Sequence, residues 1–302
     1  MPLSRIYPDS EDSPFRVDVV AVHGLNPRGK EAEHHALGTW TAPDGHLWLR
    51  DDLPKILPEA RIFIYQYDAA VVYGSDRTTF LDKANDLLEQ IRCERNKATE
   101  RLPIIFVGHS MGGLLIKQAL INAQQNQKYT SIKEATTGLA FFATPHFGGK
   151  AMLVSTGKAA ADIAHGLGFR KGDRILEILD EGSTCSDIMR EGFRHQQDEY
   201  QIVSFWGSRD SVVQRDSSRL GLPGHWENIV SLDADHTQVC KFGQSQSERN
   251  KFKVVRRNME DLYDFAIKKC ELLHQLSRPD LEAVRLGDEN LAQRMASLQR
   301  GV

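Results

Sequence analysis

The stretch that most constrains this chain is Pro103-Ile104-Ile105-Phe106-Val107, which runs without a break into Gly108-His109-Ser110-Met111-Gly112. A short β-branched and aromatic run reads as a buried strand. It ends at a glycine, and Leu114, Leu115, Ile116, Ala119, Leu120 and Ile121 then recur at helical spacing. A strand, a tight turn and a helix in that order lift the hydroxyl of Ser110 above the end of a sheet. Gly108 and Gly112 lack the Cβ atoms that such a turn would crowd, and Gly113 leaves room for the helix to pack on the strand. The simpler reading, a glycine-rich turn capped by a serine, does not require this uninterrupted strand-to-helix context.

The surrounding chain supplies the sheet. Residues 17–22 are a near-continuous apolar run that stops at His23-Gly24, and residues 61–67, 137–143 and 201–206 read as further strands. Between them, residues 40–57 carry Leu49, Leu53, Ile56 and Leu57 at helical spacing, and 80–91 form an amphipathic helix with Leu81, Ala84, Leu87, Leu88 and Ile91 on one stripe. A long helix over 248–276 closes the pattern. Strands alternating with helices predict a mainly parallel sheet covered on both faces. Residues 148–200 interrupt the rhythm with a glycine-containing, helical pattern, expected to be a lid-like insertion or plain structural padding. The expected organisation is a polar lead-in over 1–15, one domain over 16–276 and a helical extension or linker over 277–302.

Composition narrows the function classes. The net charge is −3, with no long basic run, which argues against nucleic acid as a partner. Four widely separated cysteines (Cys93, Cys185, Cys240 and Cys270) form no CxxC pair and read as reduced thiols. The first fourteen residues hold no apolar core of a signal peptide, and no apolar run approaches the roughly 18 to 20 residues of a membrane span. The expectation is a cytoplasmic protein, with peripheral membrane contact left open.

A serine hydroxyl needs a base to become a nucleophile. In this arrangement of elements the expected chain order is Ser, then Asp or Glu, then His. His236 lies downstream, between the fifth strand region and the final helix, and is the expected base; His109 reads as a packing residue. Asp210, four residues past Trp206, is the first choice for the acid that orients the imidazole. Asp216 is its rival, and Asp233 and Asp235 beside the histidine stay open. For a developing oxyanion, the backbone N–H groups of Met111 and Leu25 are the expected donors.

Four segments occur in a telling order: Val22-His23-Gly24-Leu25, the Gly108–Gly113 stretch, Ala143-Thr144-Pro145-His146, and Asp235-His236 through Cys240-Lys241-Phe242. Together they resemble the serine active site-containing protein family, a lipase-like branch of the α/β hydrolases. They are also similar to the hydrolase domains at the N-termini of fungal NOD-like receptors. The resemblance runs from residue 16 to residue 270. It implies the α/β-hydrolase fold and esterase or lipase chemistry, on lipid or small-molecule esters that include phospholipid acyl chains, with no metal or organic cofactor. Members of that family carry a glutamate shortly after the strand that holds Phe205 here; this chain has Trp206-Gly207-Ser208 there, and Asp210 is expected to substitute. The receptor relatives continue into a nucleotide-binding domain, whereas this chain contains no G-x-x-x-x-G-K-[ST]. The leading expectation is a carboxylic-ester hydrolase working through an acyl-enzyme. A signalling or interaction module of a larger immune-receptor-like protein, and a thioesterase, are the alternatives.

Overall fold

The computed structural model describes residues 2–8, 14–25, 31–68, 77–146 and 191–275. Seven strands form one sheet in the order β1-β3-β2-β4-β5-β6-β7. They are β1 (Leu3–Tyr7), β2 (Val17–Val22), β3 (Ala60–Tyr65), β4 (Ile104–His109), β5 (Thr136–Phe142), β6 (Gln201–Gly207) and β7 (Glu227–Leu232). All neighbouring pairs are parallel except β1 with β3. The order turns back at β2 and β4, so their C-terminal ends open the crevice in which a ligand is expected on such a sheet.

Alternation along each strand divides the core into two layers. Val20, Val22, Phe63 and Tyr65 face α4 (Arg77–Glu94) and α5 (Met111–Gln125). Val17, Val19, Ala21, Ile62, Ile64, Ile105 and Val107 face α1 (Ala32–Trp40), α2 (Trp48–Asp51), α3 (Leu53–Ile56) and α7 (Gln246–Gln275). The helix α6 (Thr130–Ala135) leads into β5. Phe252, Val255, Met259, Leu262 and Ala266 make the buried stripe of α7, three and four residues apart. Strands buried on both faces are apolar at nearly every position, which is why the central ones are plain in the sequence.

Three differences from the sequence reading have physical causes. Residues 3–7, read as part of a polar lead-in, form β1, an antiparallel edge strand whose residues after Leu3 are half-exposed. The strand β7, unassigned in the sequence, is the opposite edge, and its Asn228, Ile229, Val230 and Ser231 are partly or fully exposed. An edge strand needs no continuous apolar pattern and so leaves a weak signal. The helical spacing over 40–57 resolves into the end of α1 and the short α2 and α3. A turn through Gly45 (φ +85°) separates them, closed by a bridge between Thr41 and Leu47. The insertion read over 148–200 falls outside the described residues up to 190, as does the extension from 277.

At the end of the sheet away from the crevice, Asp18 on β2 lies in register with Arg61 on β3. The Arg61 guanidinium donates to both Asp18 oxygens, from Nε at 2.7 Å and Nη2 at 2.8 Å, and Arg95 Nη1 stands 3.2 Å from the same carboxylate. Arg95 also donates to the carbonyls of Glu100 and Leu102, which ties the start of β4 to this pair. One buried carboxylate thus compensates two buried guanidinium groups. Asp18→Ala is expected to destabilise the fold by about 3–5 kcal/mol, because it strands both cations in a low-dielectric site. A urea unfolding midpoint close to that of the unsubstituted protein would show that the cluster is hydrated and contributes little.

Candidate active site

The turn between β4 and α5 carries the site. Strand β4 ends at His109, α5 begins at Met111, and Ser110 between them adopts φ +52°, ψ −127°. This is a region that L side chains seldom occupy, at a cost of about 1–3 kcal/mol. The conformation is held from both sides: the Ser110 N–H donates to the Phe142 carbonyl at 2.8 Å, and the Gly113 N–H donates to the Ser110 carbonyl at 3.1 Å. A Cβ on Gly112 would run into the carbonyl oxygens of Val22 and His23. Glycine at 112 is therefore what lets α5 start directly against the end of β2.

The Ser110 hydroxyl is 3.0 Å from His236 Nε2, and His236 Nδ1 is 2.8 Å from Asp210 Oδ2. A serine, a histidine and a carboxylate from three separate loops thus form one hydrogen-bonded chain, and all three residues are buried. Asp210 is itself held in place. Its Oδ1 accepts from the Val212 and Val213 N–H groups at 2.7 and 2.9 Å, which leaves Oδ2 for the imidazole. The carboxylate follows β6 and the histidine follows β7. From the sequence alone both fall after one strand, because β7 has no continuous apolar run.

The other acids lie elsewhere. Asp216 is exposed and pairs with Arg219 at 2.7 Å. Asp233 is exposed and pairs with Arg209 at 2.8 Å. Asp235 caps its own turn: its Oδ1 accepts from the Thr237 and Gln238 N–H groups and from the Thr237 hydroxyl, each at 2.9 Å. These bonds fix the turn that presents His236 without touching its ring.

His109 does more than pack. Its Nε2 lies 2.9 Å from the His236 carbonyl, so this nitrogen carries the proton and donates. Burial, together with the neighbouring His236, pushes the His109 pKa well below the usual histidine value and keeps the ring neutral. The signal available in the sequence was only its adjacency to Ser110. The two residues expected to donate from the backbone flank Ser110 and Gly24. Met111 opens α5, whose N–H groups point toward its N-terminal end. Leu25 follows Gly24, on which a Cβ would lie 2.8 Å from Ser110 Cβ. His146, after β5, donates its N–H to the Ser217 carbonyl at 2.6 Å. Among the described residues no group of three or more His, Cys, Asp or Glu side chains could hold a metal ion.

With sheet and site in view, the fold is that of the α/β hydrolases. A Bacillus licheniformis lipase, BlEst2 in its mature form, superposes with a TM-score of 0.55 at 15% identity, over 85% of this chain and 97% of that one. At that identity the likeness shows the fold. No family model matches the chain. In sequence it is similar to the Bos taurus protein SERAC1, 23% identical over 259 residues, and to the Homo sapiens protein SERAC1, 25% identical over the same length. Each match covers 76% of this chain and 36% of the relative, so the chain spans about a third of the length of the curated relatives it matches.

The close approach of Gly112 to β2 is directly testable. Gly112→Ala is expected to lower stability by about 1–3 kcal/mol through overpacking against two carbonyl groups. Gly38→Ala, within α1 where a new Cβ meets nothing within 4 Å, is expected to be neutral or stabilising by about 0.5–1 kcal/mol. Equal thermal midpoints for the two variants would contradict the packing described here.

Proposed function

We propose that this chain is a serine hydrolase that cleaves carboxylic esters through an acyl-enzyme. The observation that carries the reading is the buried chain from Ser110 Oγ through His236 to Asp210, at 3.0 and 2.8 Å. Ser110 Oγ attacks the acyl carbonyl as its proton passes to His236 Nε2. The imidazolium then returns that proton to the leaving alcohol. A water enters, gives a proton to the same nitrogen and attacks the ester on Ser110, which releases the acid and restores the hydroxyl. Asp210 holds Nδ1–H toward itself, so that Nε2 is the basic nitrogen, and stabilises the imidazolium without taking its proton. The N–H groups of Met111 and Leu25 receive the negative charge that develops on the carbonyl oxygen. No step calls for a metal or organic cofactor.

Lipid esters, including phospholipid acyl chains, are the substrate class this reading favours. It is supported by the lipase fold neighbour and by the four ordered segments that resemble the serine active site-containing family. We read the same segments as a likeness to the N-terminal hydrolase domains of fungal NOD-like receptors. We take the protein to be cytoplasmic, with peripheral contact at a membrane as its route to lipid. Among the described residues no helix is long and apolar enough to cross a membrane. A purely interacting module would gain nothing from the strain held at Ser110 or from a carboxylate fixed by three hydrogen bonds. This favours an enzyme. A thioester substrate would use the same groups and differ only in its leaving group.

Hydrolysis of a short p-nitrophenyl ester tests the assignment. Ser110→Ala is expected to lower turnover by about 10³-fold or more while the fold persists. Asp210→Asn is expected to cost about 10⁴-fold through the wrong imidazole tautomer, whereas Asp216→Asn stays close to the parent rate. Near-parent turnover in Ser110→Ala would end the hydrolase reading, and a reversed ranking of the two aspartates would move the acid to Asp216.

A further inference from the structure

The loop after β2 is gripped by two side chains that the reaction scheme above does not use. His23 is wholly buried, and its Nδ1 lies 2.8 Å from the Gly24 carbonyl oxygen. A carbonyl only accepts, so Nδ1 carries the proton. On the other side of the ring, Nε2 faces the Tyr67 N–H at 3.5 Å, which makes it the acceptor. The Tyr67 hydroxyl then reaches past the ring and donates to the His23 carbonyl at 2.7 Å. The two rings stack at 4.3 Å between centroids with 16° between their planes. Two successive carbonyl groups, those of residues 23 and 24, are therefore each taken by a buried side chain.

This has a consequence for Leu25. In a trans peptide the C=O of one residue and the N–H of the next point to opposite sides of the chain. Holding the Gly24 carbonyl on the His23 ring turns the Leu25 N–H the other way. Gly24 itself is closely packed: the Tyr67 hydroxyl, just past β3, holds the preceding carbonyl, and a Gly24 Cβ position would lie only 2.8 Å from Ser110 Cβ and 3.4 Å from the Met111 nitrogen. Gly24 has the widest backbone freedom of any residue type, so the peptide between Gly24 and Leu25 is the one most able to flip. A flip would exchange the N–H for a carbonyl oxygen, an acceptor where a donor is needed.

We propose that His23 and Tyr67 are positioning residues, a clamp that fixes the Gly24–Leu25 peptide so that its N–H is preorganised as an oxyanion donor. The proposal rests on the hydrolase reading above, in which Leu25 supplies that donor. The clamp needs the neutral imidazole with its proton on Nδ1. Burial, with the His35 ring edge-on at 4.9 Å, lowers the His23 pKa to about 3, so the ring stays neutral across the working range of an ester hydrolase.

The test separates positioning from structure. His23→Phe keeps the volume and the stack on Tyr67 and removes the donor; His23→Asn returns an amide N–H near the place of Nδ1. For p-nitrophenyl butyrate, His23→Phe is expected to lower kcat about 10- to 100-fold with little change in KM, the scale of a small misplacement at the reacting centre. Inhibition by a trifluoromethyl ketone, which forms a tetrahedral oxyanion on Ser110, should weaken by the same factor. His23→Asn should recover most of both losses, and Tyr67→Phe should show a smaller loss of the same kind. Nitrogen-15 spectra of the unsubstituted protein should show the His23 ring protonated on Nδ1. Parent-like kcat in His23→Phe, an Asn variant no better than Phe, or a ring protonated on Nε2 would each overturn the clamp. Failure of the underlying hydrolase reading shows differently, as turnover that survives Ser110→Ala. The tautomer is read without any turnover.

Discussion

The turn at Ser110 governs the rest of the site. A residue at φ +52° cannot continue β4 and cannot belong to α5, so the chain must reverse direction there, with the hydroxyl at the apex. That geometry is possible only because Gly112 lets the first turn of α5 touch the end of β2 and because Gly24 lets the next loop back onto Ser110. The same contacts bring together β2 and β4, the strands at which the sheet order turns back. The strain of one residue and the crevice of the whole sheet are thus one feature, held by packing that only glycine permits.

Polar groups around the turn are arranged so that few of them are free to choose. Asp210 spends one oxygen on two backbone N–H groups and keeps the other for His236; His109 takes the His236 carbonyl; Asp235 caps the turn that carries the histidine. Burial makes each of these bonds stronger and each missing partner more costly, which gives the network a single low-energy arrangement. Both buried histidines beside the site, His23 and His109, are held neutral by desolvation, so neither adds positive charge next to the imidazolium that the proposed reaction would form on His236.

The centre of the fold was legible in the sequence because central parallel strands are buried on both faces. Val17–Val22, Ile104–His109 and Thr136–Phe142 announce themselves by composition alone. The edges were not legible: β1 and β7 mix polar and apolar residues because solvent reaches one side of them. Without a legible β7 the sequence sets Asp210 and His236 after the same strand, although the short turn after Trp206 marks that aspartate. The positions of Ser110, Asp210 and His236 along the chain could be read from motif and order. The roles of His109 and Tyr67 could not, since they depend on contacts 127 and 44 residues away in the chain. No local pattern encodes a hydrogen bond to a distant carbonyl.

The most direct measurement is the reaction of the folded chain with one equivalent of a fluorophosphonate, followed by peptide mass spectrometry. An activated serine in a preorganised site should take up a single phosphonyl group on Ser110, with ester hydrolysis lost in step with labelling. A folded chain that stays unlabelled, or that carries the phosphonyl group on another residue while Ser110 remains free, would contradict the central claim.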